Sequence, residues 1–119
     1  MQFPRELGRI TVLLYPRNPD IAARLNALLT SRGMAVTTAL TASELHGAAG
    51  IGDFHVSATY TAGIAIIREI TGLPIVNIDA FIFQRPMQPD ETKAARQFDT
   101  AAFIKRLTDV ASLRTTRRS

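Results

Sequence analysis

The sequence predicts an α/β domain with a single small, mainly parallel four-stranded sheet, strand order 2-1-3-4, and helices on both faces. Apolar runs rich in β-formers alternate with segments of helical periodicity, which is how strands joined by crossover helices read. At 119 residues, the chain is the common size for one domain. With 46% hydrophobic and 20% charged residues, it has the composition of a packed core rather than of a disordered segment.

Arg9 to Tyr15 (RITVLLY) is a continuous apolar run and reads as a strand buried on both faces. Pro16 ends it. Asn18 is placed to cap a helix that opens on Pro19, with Asp20 in the first turn, where the helix dipole favours a carboxylate. Ile21, Leu25, Leu28 and Leu29 share one helical face, and Gly33 suits the position just past the end. Met34 to Leu40 reads as a second strand. Thr41 or Ser43 offers a cap for a short helix carrying Leu45, and Ala48 to Gly52 reads as a loop.

Asp53 to Thr59 reads as the third strand, with Phe54, Val56 and Ala58 alternating. Thr61 to Thr71 places Ile64, Ile67 and Ile70 at helical spacing, and Gly72 closes it. Ile75 to Ala80 is the fourth strand. Gln84 to Asp90, with two prolines, reads as a loop, and Asp90 to Gln97 as a short helical turn. Asp99 or Thr100 caps a last helix with Phe103, Leu107 and Val110 inward. Residues 1–111 form the single domain and 112–119 a basic C-terminal tail. Such an arrangement is Rossmann-like or flavodoxin-like, with a right-handed first crossover. The stretch Ile75 to Phe83 is expected either to form an oligomer face through Phe81 and Phe83 or to close the core beneath the last helix.

The chain has no cysteine, which removes disulfides, thiolate metal sites and cysteine nucleophiles together and fits a cytoplasmic setting. No signal peptide is read in Met1 to Arg9, and no apolar run is long enough for membrane insertion. The net charge of +4 rests largely on Arg114, Arg117 and Arg118 near the C-terminus. With the body nearly balanced, nucleic acid is not an expected partner. There is no GxGxxG, GxxxxGK[ST] or GxSxG, so neither a phosphate loop nor a serine nucleophile is read. A phosphoaspartate receiver fails too, because the first and third strands end in Tyr15-Pro16 and Ala58-Thr59. His46 and His55 do not make a metal motif and read as structural. No cofactor and no catalytic constellation are expected. Glu44 is a base only if the fold brings it to the ligand edge, and Asp79 is the better-placed carboxylate, equally suited to a turn.

In open parallel sheets, ligands bind beyond the carboxyl ends of the strands, where strand order switches. That point lies between strands one and three, where Tyr15 to Asn18 meets Ser57 to Thr61. Two helix N-termini aim there, and a guanidinium forks onto carboxylates or phosphates. The expected site is therefore a small anionic ligand held by Arg17, Asn18, Ser57, Thr59, Tyr60 and Thr61.

The pieces RITVLLY, SRGMAV, TASEL, DFHVSAT and PIVNIDAF, in that order, resemble the IIB components of bacterial sugar phosphotransferase systems, especially the galactitol and lactose types. The resemblance spans about Arg9 to Phe83. It implies a four-stranded parallel domain and, as partners, the sugar-phosphotransferase proteins. Members of that family carry a phosphorylated cysteine after the first strand, where this chain has Tyr15-Pro16-Arg17-Asn18-Pro19. The resemblance therefore implies a degenerate member acting as a carrier, binding or regulatory module for a phosphorylated or anionic small molecule. The segment SATYTAGIAIIREITGLPIVNID is similar to part of the sensory domains of propionate-type bacterial regulators, which implies small-molecule sensing by Ser57 to Ala62. A structural or interaction subunit that forms a homo-oligomer without a small ligand is the remaining alternative.

Overall fold

β1 (Thr11–Tyr15) lies inside the sheet because it is apolar on both sides. Val12 and Leu14 point into one layer, Leu13 and Tyr15 into the other, and all four are buried. The computed structural model describes residues 10–16, 18–85 and 95–118. β1 pairs in parallel with β2 (Ala35–Thr38) and β3 (Val56–Thr59), and β3 pairs in parallel with β4 (Ile75–Asn77). The order is β2-β1-β3-β4, as the alternation of strands and helices predicts.

α1 (Pro19–Ser31) starts and stops where its sequence dictates. The Asn18 side-chain oxygen accepts the Ile21 N–H at 2.9 Å, satisfying one of the donors that every helix leaves open at its start. At the other end, Gly33 adopts φ +85°, a conformation that costs glycine little. There the Gly33 N–H reaches the Thr30 carbonyl and the Met34 N–H the Leu29 carbonyl, a Schellman closure. Leu29 and Met34, its usual apolar pair, are both buried in the same core.

α1 and α4 (Thr100–Arg118) cover one face of the sheet, and the backbone of α4 carries the basic C-terminal segment as helix. Leu25, Leu29, Phe103 and Leu107 pack there on Val12, Leu14, Val56 and Val76. The Asp99 carboxylate caps α4 by accepting the Ala102 N–H at 3.1 Å. α2 (Ala42–Ile51) and α3 (Ile64–Ile70) cover the other face, with Leu45 and Ile67 against Leu13, Tyr15, Ala39 and Phe54. Burying apolar side chains on both faces is the main stabilising term of such a sandwich.

Several local expectations are corrected. Ala48 to Gly52 is not a loop: α2 runs to Ile51, and Gly52 ends it in extended conformation with its N–H on the Ala48 carbonyl. Thr41 caps the helix through the Glu44 N–H, and buried Leu45 with partly buried Ala48 anchors it to the sheet. That packing outweighs the poor helix propensity of Gly47 and Gly50. Phe54 does not alternate with Val56 and Ala58 on one strand. It precedes β3 and packs in the opposite layer. Residues 61–71 are a 3-10 turn, Thr61–Gly63, followed by α3 and closed at Thr71 rather than at Gly72.

The fourth strand stops at Asn77 instead of running to Ala80. The Asn77 side chain accepts the Asp79 N–H at 2.9 Å and turns the chain into a 3-10 segment, Ile78–Phe81. Beyond it the chain makes an antiparallel hairpin of β5 (Ile82–Arg85) and β6 (Ala95–Phe98). Gln84 and Arg85 are thus strand rather than loop, and residues 95–97 are strand rather than helical turn. The remainder of those two segments, residues 86–94, lies outside the described residues. The hairpin depends on distant contacts. Phe81, Phe98 and Phe103 pack edge to face with centroids 5.1–6.5 Å apart, and the Asp99 N–H donates to the Phe81 carbonyl at 2.7 Å. Phe81 therefore closes the core beneath α4, as one of the two sequence readings has it; the Phe83 side chain lies outside the described ones.

Candidate functional site

Tyr15, Thr59 and Asn77 stand in register across the carboxyl ends of β1, β3 and β4. At the β1–β3 switch the edge is filled by the protein itself. The Thr59 hydroxyl, fully buried, donates to the Tyr15 carbonyl at 2.7 Å. The Tyr15 ring lies 6.1 Å from that of Tyr60. Gly63 fits against both Thr59 and Tyr15, where a side-chain carbon would collide with the Thr59 hydroxyl. Burial raises the pKa of the Tyr15 hydroxyl above the ordinary tyrosine value, and the neighbouring Tyr60 adds to the effect, since both disfavour a phenolate.

The other predicted site residues are placed as follows. The Ser57 hydroxyl, also fully buried, donates to the Pro74 carbonyl at 3.0 Å. Asn18 spends its side-chain oxygen on the cap of α1. The Thr61 N–H donates to the Asp79 carboxylate at 2.9 Å, and its hydroxyl accepts from the Asn77 amide at 3.2 Å. Tyr60 is half-buried and reaches a cleft described next. Arg17 lies outside the described residues. Thus Thr59, Tyr60 and Thr61 gather at one edge, while Ser57 faces the β4 side with its hydroxyl turned to backbone.

A cleft of about 300 Å³ opens beside that edge. One wall is α1, through Ile21, Arg24 and Leu25, which stand at i, i+3 and i+4 on one face. Tyr60, Ile78 and Asp79 follow from the loops after β3 and β4. The hairpin supplies the opposite wall with Ile82, Gln97 and Phe98. The lining is mainly aliphatic and aromatic, with Arg24, Asp79 and Gln97 as its charged and amide residues. This is the usual make-up of a small-molecule site, an apolar body with a few polar groups that fix orientation.

Sequence reasoning missed this wall-to-wall arrangement because it missed the hairpin. Arg24, between Ile21 and Leu25 on the same helical face, was its one visible signal. The histidines do not join the site. His55 Nδ1 accepts the Thr11 N–H at 3.0 Å and ties the amino ends of β1 and β3 together, while His46 is exposed on α2. Glu44 binds the Leu40 N–H at 2.7 Å, at the start of α2. Among the described residues no cluster of three His, Cys, Asp or Glu is placed to hold a metal ion, and no helix is long and apolar enough to cross a membrane.

Fold and cleft together define a small doubly wound α/β domain with a ligand-sized opening at the carboxyl edge of its sheet. No family model, curated protein or solved structure matches the chain.

Proposed function

We propose that this chain is a binding or regulatory module for a small anionic molecule, taken up in the cleft between α1 and the β5–β6 hairpin. The observation that supports it is the position of that cleft. It lies at the carboxyl edge of a parallel sheet, where open α/β folds take their ligands, and Arg24 supplies a cation on an otherwise apolar wall. The strand order agrees with the resemblance to phosphotransferase IIB components, although many doubly wound folds share it. Without a cysteine, the module would bind rather than relay a phosphoryl group. Incubation with the general phosphotransferase proteins and phosphoenolpyruvate is expected to leave it unphosphorylated, and transfer to any residue would restore the carrier reading.

Thermal unfolding against a panel of small carboxylates and sugar phosphates tests binding directly. A ligand at a hundred times its Kd stabilises the folded state by about 2.7 kcal/mol. At least one compound is expected to raise the melting temperature of the wild type and not that of Ile21→Trp, whose indole would fill the cleft. Equal shifts in both proteins would move binding elsewhere and overturn the proposal.

A further inference from the structure

We infer, building on the binding reading above, that the ligand is an apolar monocarboxylate. Its body lies between α1 and the hairpin, and its carboxylate lies on Arg24. The volume sets the size. A cleft of about 300 Å³ is at the small end of small-molecule sites, which suits a phenyl or branched aliphatic acid. The walls set the body, because Ile21, Leu25, Ile78 and Ile82 with the Phe98 ring offer no hydrogen bonds, and a polar body such as a sugar would lose its own to water there.

Arg24 sets the head group. Among the described residues no carboxylate lies within ion-pair distance of it, the one such pair being Lys105 with Asp109 on α4. Arg24 borders an apolar wall without a carboxylate partner among the described residues, and the fork of a guanidinium matches the two oxygens of a carboxylate. A phosphate dianion fits less well for two reasons. The Asp79 carboxylate on the same cleft repels added negative charge. The backbone donors that usually cradle phosphate are also taken: the Asn18 side chain occupies the Ile21 N–H, and Asp79 occupies the Thr61 N–H.

Isothermal titration with 3-phenylpropionate, 4-methylvalerate and octanoate tests this, each beside its primary amide and beside phenyl phosphate. Wild-type protein is expected to bind at least one acid about tenfold more tightly than its amide, as a hydrogen-bonded charge contributes, and more tightly than phenyl phosphate. Arg24→Gln, at an exposed helix position, is expected to keep its circular dichroism and to bind acid and amide alike. Ile21→Trp is expected to abolish both. Equal affinity of acid and amide in the wild type, or preference for phenyl phosphate, would overturn the monocarboxylate and leave the cleft reading intact. Binding that survives Ile21→Trp, or no binding of any probe at millimolar concentration, would overturn both.

Discussion

The Asp79 carboxylate accepts the Thr61 N–H at 2.9 Å, so the helical segment after β3 begins on an acid supplied by the segment after β4. Asp79 is itself held by the Asn77 side chain, which accepts its N–H. Replacing Asp79 with alanine removes this cap from another part of the chain and is expected to cost about 1 kcal/mol in urea unfolding. Asp79→Asn keeps an acceptor and is expected to cost less. Because both changes remove a negative charge from the cleft, both are expected to tighten the binding of an anionic ligand, measured by titration calorimetry.

Gly63→Ala tests how tightly the β1–β3 switch is closed. The added methyl meets the buried Thr59 hydroxyl and the Tyr15 ring, an overpacking expected to destabilise by about 1–3 kcal/mol. Since the main obstacle is the Thr59 oxygen, the double variant with Thr59→Ala is expected to lose less than the sum of its single changes. A denaturant series on the four proteins measures that coupling.

Asn18→Ala removes the side-chain oxygen that holds the Ile21 N–H. The expected loss is about 1 kcal/mol of stability. Asn18→Asp is expected to retain it, since aspartate also accepts the bond and its charge faces the positive end of α1. Thermal melts of the three proteins check the order.

Tyr15 gives a pH dependence with a defined sign. Its pKa is raised by burial and then by Tyr60, while in the unfolded chain it ionises near the ordinary tyrosine value of about 10. The folded state therefore holds its proton longer. The corresponding stability is complete below pH ~10 and is lost as the pH rises from there through the higher folded value. Unfolding of the wild type and of Tyr15→Phe is expected to diverge only above that pH, with the wild type falling faster.

The parallel sheet was legible because its information is local. RITVLLY declares a strand buried on both faces, and Asn18-Pro19 together with Gly33 mark both ends of α1. The edge at Tyr60 and Thr61 was legible for the same reason, from strand endings alone. The hairpin was not, because Ile82 to Arg85 and Ala95 to Phe98 are short and have two prolines between them. What holds Phe81, Phe98 and Phe103 together is tertiary packing rather than pattern. The inward turn of the Ser57 and Thr59 hydroxyls was equally hidden. Small hydroxyl residues at a strand end look alike in sequence whether they face a ligand or a neighbouring carbonyl.

The position of β1 between two partners also bears on how the chain finds its fold. Thr11 pairs with Ala35 across one helix, and Val12 pairs with Val56 across a loop roughly twice as long. Loop-closure entropy rises by only about 0.6 kcal/mol per doubling, so distance along the chain barely separates the two events. Side chains separate them far more, for all four residues of β3 are buried and none of β2 is. The β1–β3 pair is thus expected to dominate the folding transition state. Val56→Ala would then slow refolding, and Val36→Ala would mainly speed unfolding.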